Sequence, residues 1–242
     1  MGKTLLIDGD SICYICSKGS LEESIDAVDS CLKSIFKVTD AEEYIIFLSK
    51  GPYFRHVINP EYKGQRKASS LLWLKTLKMY LVEKYHATTP PEIEADDAVA
   101  YYKVLMPDAV ICAIDKDVLK QVPGKHYNYM TRKWVTTTEE EAYKWLYLQA
   151  LMGDSGDNIK GLPGIGPAKA AKILDGCAPD NYKYRVLQQY TNLHGDTLGI
   201  MEFYKTFFQV YLLRTKEEIE LFVTELPLVE PVKIVTEEKE EW

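Results

Sequence analysis

Thr4-Leu5-Leu6-Ile7-Asp8-Gly9-Asp10 is the stretch on which the fold turns. A short apolar run that stops on an acid reads as a buried strand delivering a carboxylate to its carboxyl end. The pattern returns at Ala109–Ile114, which runs into Asp115-Lys116-Asp117. Tyr44–Leu48 is a third buried run, closed by Lys50-Gly51-Pro52. Helical spacings lie between these runs. Leu21, Ile25, Val28, Leu32, Ile35 and Phe36 define an amphipathic helix over 21–38. A second helix is expected over 68–84, on Leu71, Leu72, Leu74, Leu77, Tyr80 and Leu81, and a third from about Ile93 to Leu105, after Pro90-Pro91. Strands alternating with helices imply an α/β fold, with a mainly parallel central sheet and helices on both faces. After about Thr136 the strand signals stop and the chain reads as helical. The expected layout is an α/β core over 1–135, a helical region over 136–215 and a poorly packed acidic tail over 216–242.

The 242 residues are 46% hydrophobic and 27% charged, which excludes a disordered or fibrous chain. No apolar run approaches the roughly 18 residues needed to cross a bilayer, and the first residues are too briefly apolar for a signal peptide. Five cysteines, an odd count in a chain too large to need staples, point to reduced thiols in the cytoplasm. The net charge of −7 sits wholly in residues 217–242, which hold nine Glu and two Lys. Lys50–Lys84, by contrast, holds eight Lys or Arg against Glu61 and Glu83. That distribution permits a nucleic-acid partner although the bulk charge does not argue for one.

Four groups of acids follow apolar segments: Asp8 and Asp10; Glu94, Asp96 and Asp97; Asp115 and Asp117; Asp154 and Asp157. One such pair alone is more often a helix cap or a solvated loop. Four groups at sheet ends, where open α/β sheets place their ligands, are a candidate site. Carboxylates brought together resist joint ionisation unless cations intervene. All-oxygen donors suit Mg²⁺ or Mn²⁺, and two such ions about 3.5–4 Å apart are an established device for cleaving phosphodiesters. Gly161-Leu162-Pro163-Gly164-Ile165-Gly166-Pro167 follows the last acids and leads into Lys169 and Lys172. A glycine turn exposing backbone N–H groups at a helix start, with lysines beside it, is a natural phosphate seat.

These stretches resemble the 5′-nuclease superfamily, which comprises flap endonucleases, the nuclease domains of bacterial DNA polymerase I and bacteriophage 5′→3′ exonucleases. The resemblance rests on Leu6–Asp10, Asn59–Lys67, Glu94–Asp97, Asp115–Asp117 and 153–174, in family order over roughly residues 1–175. It implies a PIN-like fold and a two-metal site held by Asp8, Glu94, Asp96, Asp97, Asp115, Asp117, Asp154 and Asp157. It also implies a helix–three-turn–helix element gripping duplex DNA with a bound K⁺. Tyr62, Lys63 and Arg66 would stand at the base of a gateway admitting the 5′ end, with Lys63 and Arg66 steering the scissile phosphate. Arg55, Tyr62, Lys67, Gly161, Gly164, Gly166, Lys169 and Lys172 complete the expected DNA contacts.

The stretch between Lys67 and Pro90 is short for a long arch, so an open gateway is expected, and one further departure from the family matters. An aspartate is usual just after the second strand, and here the sequence reads Phe47-Leu48-Ser49-Lys50. Asp10, or water held by Ser49, could compensate. The expected function is a Mg²⁺- or Mn²⁺-dependent 5′→3′ exonuclease or flap endonuclease, acting as a monomer on DNA or RNA–DNA hybrids in phage-type primer removal or DNA degradation, with no membrane. The missing acid favours one alternative, a nuclease-derived module that grips branched DNA without cutting. Asp8-Gly9-Asp10-Ser11 also fits a haloacid-dehalogenase-type phosphatase, but that reading leaves Asp115, Asp117 and the glycine turn without a role.

Overall fold

A computed structural model describes residues 3–65, 72–222 and 229–235. The chain runs β1 (Thr4–Asp8), α1 (Gly9–Cys16), α2 (Leu21–Thr39), β2 (Glu43–Phe47), α3 (Phe54–Ile58), α4 (Leu74–Tyr85), α5 (Ala95–Leu105), β3 (Val110–Cys112), α6 (Lys116–Gln121), β4 (Gly124–Asn128) and β5 (Lys133–Thr137). It continues through α7 (Glu139–Met152), the two-residue strands β6 (Gly153–Asp154) and β7 (Ile159–Lys160), α8 (Pro167–Leu174), α9 (Tyr182–His194), α10 (Asp196–Val210), α11 (Lys216–Glu220) and β8 (Val232–Lys233). No helix among the described residues is long and apolar enough to cross a membrane.

The main sheet has the order β5-β4-β3-β1-β2-β8, parallel from β4 to β2 and antiparallel at both edges. Alternation along the strands divides the core. Leu6, Ile45, Phe47 and Ile111 pack with Val99 of α5 and Val118 of α6. Leu5, Ile7, Ile46 and Cys112 pack on the opposite face with Ile12 of α1, Leu32 of α2 and Leu77 of α4. Each such side chain contributes about 1.5–3 kcal/mol on burial. Asp8 is in register with Phe47, and Ile7 with Cys112. The parallel register therefore brings the segments after β1, β2 and β3 to one end of the sheet.

Local signals set the helix ends. Ser20 and Glu23 form a capping box that starts α2, and Thr138 and Glu141 form another that starts α7. Pro167 occupies the first turn of α8. A separate core, including Tyr147, Leu151, Leu174, Val186, Tyr190 and Phe203, joins α7, α8, α9 and α10.

The structure departs from expectation in three places. The β4–β5 hairpin escapes a reading of hydrophobic runs because Gly124–Asn128 and Lys133–Thr137 are short and partly polar. The helix expected over 68–84 starts at Leu74; residues 68–71 lie outside the described residues. The acidic end is not a detached tail where it is described. Phe222 stacks on Phe54, Val229 donates its N–H to the Tyr102 hydroxyl at 2.7 Å, and β8 adds an antiparallel edge to β2. Its apolar residues, spaced among the glutamates, make the packing that charge alone concealed.

Candidate active site

Three of the four carboxylate groups owe their positions to helix starts. Asp8 ends β1 and caps α1, its Oδ1 accepting the Asp10 N–H at 3.0 Å and its Oδ2 the Ser11 hydroxyl at 2.5 Å. Asp115 caps α6 in the same way, accepting the Asp117 N–H at 2.6 Å. Glu94 precedes α5 and Asp96 lies in its first turn. Asp154 closes β6, and Asp157 lies in the turn to β7. Capping, the ordinary role of such acids, thus also aims Asp8, Glu94 and Asp115. Asp8, Asp10, Glu94, Asp96, Asp115, Asp117, Asp154 and Asp157 line one cavity of about 230 Å³.

The charges in this cavity are unevenly compensated. Burial and the neighbouring Asp10 push Asp8 up to about 6. Burial and Asp115 push Asp117 up to about 7. Asp96 is driven well above the carboxylate range by burial and then by Asp8 and Asp115. On the other side of the cavity burial is overcome. Arg55 and Lys63 hold Glu94 below its ordinary value, while Glu94 and Asp157 hold the Lys63 ammonium charged. Tyr62 donates its hydroxyl to Glu94 Oε2 at 2.6 Å and to Asp157 Oδ2 at 3.2 Å.

The donor set fits hard divalent cations. It is all oxygen, three of its aspartates are held back from ionising, and the buried Oδ1 of Asp117 has no hydrogen-bond partner. Among the described residues no three His, Cys, Asp or Glu side chains close on a single point tightly enough to hold an ion unaided. The carboxylates instead stand around a space. That arrangement suits an ion that keeps several of its waters and uses one or two carboxylates, the habit of Mg²⁺.

Comparison with known proteins agrees with this geometry. No protein-family model matches the chain. It is 28% identical over 202 residues to the thermostable DNA polymerase I of Thermus thermophilus, covering 72% of this chain and 24% of that one. It is 24% identical over 251 aligned positions to a flap endonuclease Xni of Shewanella woodyi, covering 94% of this chain and 96% of the relative. The crystal structure of the bacteriophage T5 flap endonuclease with DNA and metal ions superposes with a TM-score of 0.62 at 18% identity, over 86% of this chain and 98% of that one. The chain shares the fold of the T5 enzyme and is similar in sequence to bacterial flap endonucleases and to the amino-acid stretch it matches in DNA polymerase I. It spans only about a quarter of the polymerase relative's length.

The expected site residues fall into three sets. The acids lining the cavity, together with Lys63, form the first. Gly164, Gly166, Lys169 and Lys172 form the second, exposed around the start of α8, where Gly164 adopts a left-handed φ of 70°. The third set is committed to the protein's own packing. Asp97 is fully buried behind the cavity and bound by Arg55, so it is corrected from a metal ligand to a structural partner. Arg55 is 2% exposed and also donates to the carbonyls of Gln209 and Tyr211, each at 2.8 Å. Its guanidinium is thus committed to protein partners in the cavity wall. Tyr62 is likewise buried in the wall and meets the cavity through its hydroxyl. At Gly161 a Cβ would lie 2.2 Å from the Met152 carbonyl carbon, so this glycine serves the close β6–β7 approach instead of presenting itself to DNA. Arg66 and Lys67 lie outside the described residues.

Sequence reasoning passed over Gln149 and Gln209, which also line the cavity, as do Ser11 and Tyr53. Gln149 did leave a signal, as a lone polar residue beside the apolar Ala150 and Leu151 on α7. At the family departure, Ser49 donates its N–H to Asp10 Oδ2 at 3.0 Å, so Asp10 brings a carboxylate to the end of β2 from α1.

Proposed function

We propose that the chain is a divalent-metal-dependent 5′→3′ exonuclease or flap endonuclease that hydrolyses phosphodiesters of DNA or RNA–DNA hybrids near 5′ ends, in replication-type primer removal or DNA degradation. The observation that carries this reading is the single cavity ringed by Asp8, Asp10, Glu94, Asp96, Asp115, Asp117, Asp154 and Asp157, with Lys63 in its wall. Mg²⁺ or Mn²⁺, as one or two ions, would supply Lewis acidity for water activation and for the charge developing on the phosphate. Asp8, Asp96, Asp115 and Asp117 would hold the ions on the side of the cavity away from Arg55 and Lys63. Asp154 and Asp157 would reach them from the β6–β7 turn.

The chain's own cations have a separate task. Lys63, kept charged by Glu94 and Asp157, presents positive charge where a scissile phosphate would enter. Arg66 is proposed to act beside it. The Tyr62 hydroxyl fixes Glu94 and Asp157 relative to Lys63. Residues 1–135 would carry the chemistry together with Asp154 and Asp157, and the rest of 136–215 the grip on duplex DNA. At the start of α8, Gly164, Gly166, Lys169 and Lys172 would seat a backbone phosphate, with a K⁺ ion in the same turn.

The departure at Ser49 favours one rival, a module that binds branched DNA without cutting it. Incubation with 5′-labelled flap, nicked and plain duplex in Mg²⁺, Mn²⁺ or chelator separates the two. Metal-dependent shortening of the flap supports the nuclease. Tight flap binding with no hydrolysis in either metal supports the module. Turnover of a small phosphomonoester in place of the flap would point to a phosphatase.

A further inference from the structure

Ser49 stands where an acid is usual, and each of its polar groups is engaged. Its hydroxyl accepts the Ala95 N–H at 2.8 Å, at the start of the helix that carries Asp96. Its N–H goes to Asp10 Oδ2 at 3.0 Å, and its carbonyl accepts from Lys78 Nζ, also at 3.0 Å. The same Lys78 ammonium lies 2.6 Å from Asp10 Oδ1. Asp10 thus sits at the end of β2 with one oxygen on backbone and the other on a lysine. Asp10 comes from the first turn of α1, and Lys78 from α4, the first helix after the Tyr62–Lys63 stretch. Both side chains are about 30% exposed, so neither is locked in the core.

We propose that Asp10 is the divalent-ion ligand replacing the acid absent after β2, and that Lys78 covers it as a displaceable counter-ion, so that ion binding exchanges an ammonium for a metal. This rests on the metal-dependent reading above. A divalent ion and an ammonium cannot share Asp10 Oδ1 without strong repulsion. A lysine suits a removable occupant, being a compact point charge on a flexible stem that solvates readily once released. Once displaced, Lys78 becomes a free cation at the cavity rim on the α4 side. The link couples occupancy of the metal site to the helix beside the expected gateway.

The test is Mn²⁺ binding without DNA, read by the electron paramagnetic resonance signal of free Mn²⁺. It compares wild type, Lys78→Met, Asp10→Asn, the double variant and Asp115→Asn. Removing the competing charge should tighten Mn²⁺ binding by about tenfold in Lys78→Met. Asp10→Asn should weaken it, and the double variant should match Asp10→Asn. A second readout uses unmodified protein: Lys78 should acylate faster when Ca²⁺ or Mn²⁺ is added, as followed by peptide mass spectrometry. Equal tightening by Lys78→Met with and without Asp10, or a Lys78 acylation rate indifferent to metal, overturns the exchange. Wild-type binding that is lost in Asp115→Asn while Lys78→Met changes nothing refutes the exchange alone. A wild type that binds no Mn²⁺ refutes both the exchange and the metal-dependent reading.

Discussion

Arg55 grips both carboxylate oxygens of Asp97, with Nη1 2.6 Å from Oδ2 and Nη2 2.8 Å from Oδ1, and neither side chain is more than 2% exposed. The pair ties α3 to the start of α5, and Arg55 reaches on to Glu94 at 3.1 Å. The fold thereby fixes the floor of the acidic cavity from behind. Arg55→Met leaves Asp97 buried without its partner, a loss of the kind that costs about 3–5 kcal/mol. Urea denaturation of metal-free protein should show that loss. A stable Arg55→Met variant that fails only in DNA binding would assign Arg55 a DNA contact instead of a structural one.

Asp115→Asn keeps an oxygen that can accept the Asp117 N–H but removes a negative charge from the cavity. Cleavage of a 5′-labelled flap should fall by at least about 100-fold, the scale of losing one transition-state electrostatic contact. DNA binding should persist or tighten, since a charge repelling phosphate is gone. Near-normal turnover in Asp115→Asn would misassign the metal site.

Asp117 supplies a pH prediction with a definite sign. Its carboxyl is raised from 3.8 to about 7, so the folded protein retains a proton that the unfolded chain has already released between those values. Stability from this group is fully present below the unfolded value and is lost as pH rises through about 7. In chelator, thermal denaturation of the wild type should therefore show a midpoint falling from pH 4 to 8, with Asp8 contributing in the same direction. Asp117→Asn should flatten that fall and be more stable than wild type at pH 8. Mg²⁺ should raise the wild-type midpoint at pH 8 more than that of the variant. Parallel pH profiles for the two proteins would contradict the assignment.

Lys169 and Lys172 are exposed on α8, beside the glycine turn. Replacing both with alanine should weaken duplex binding and reduce the slope of log affinity against log salt by at most about 0.9 per lost phosphate contact. Filter binding across a salt series measures this. An unchanged slope would remove α8 from the DNA footprint.

Much of the sheet could be read because Leu5–Ile7 and Tyr44–Leu48 are continuous apolar runs ending in polar punctuation, and parallel register then carries Asp8 and Asp115 to one end. The acids were legible for the same reason, since each group follows such a run or opens a helix. Burial was not legible. Arg55 looks like part of a basic surface, yet its two buried acid partners lie 39 and 42 positions away, and its backbone acceptors more than 150. Gly161 looks like part of the exposed turn, but the close passage of Met152 can be seen only in three dimensions. Lys78 was one charge among eight until Asp10 and Ser49 were seen beside it.

The most direct test of a metal-dependent 5′ nuclease is the chemistry of its products. A flap substrate carrying separate labels on both strands, incubated with Mg²⁺ or Mn²⁺, should lose its flap from the 5′ side only. Mass spectrometry should find a 3′-hydroxyl on the released strand and a 5′-phosphate on the duplex, and chelator should abolish both. Release from the 3′ side, a 3′-phosphate product, or the same products in chelator would contradict the account.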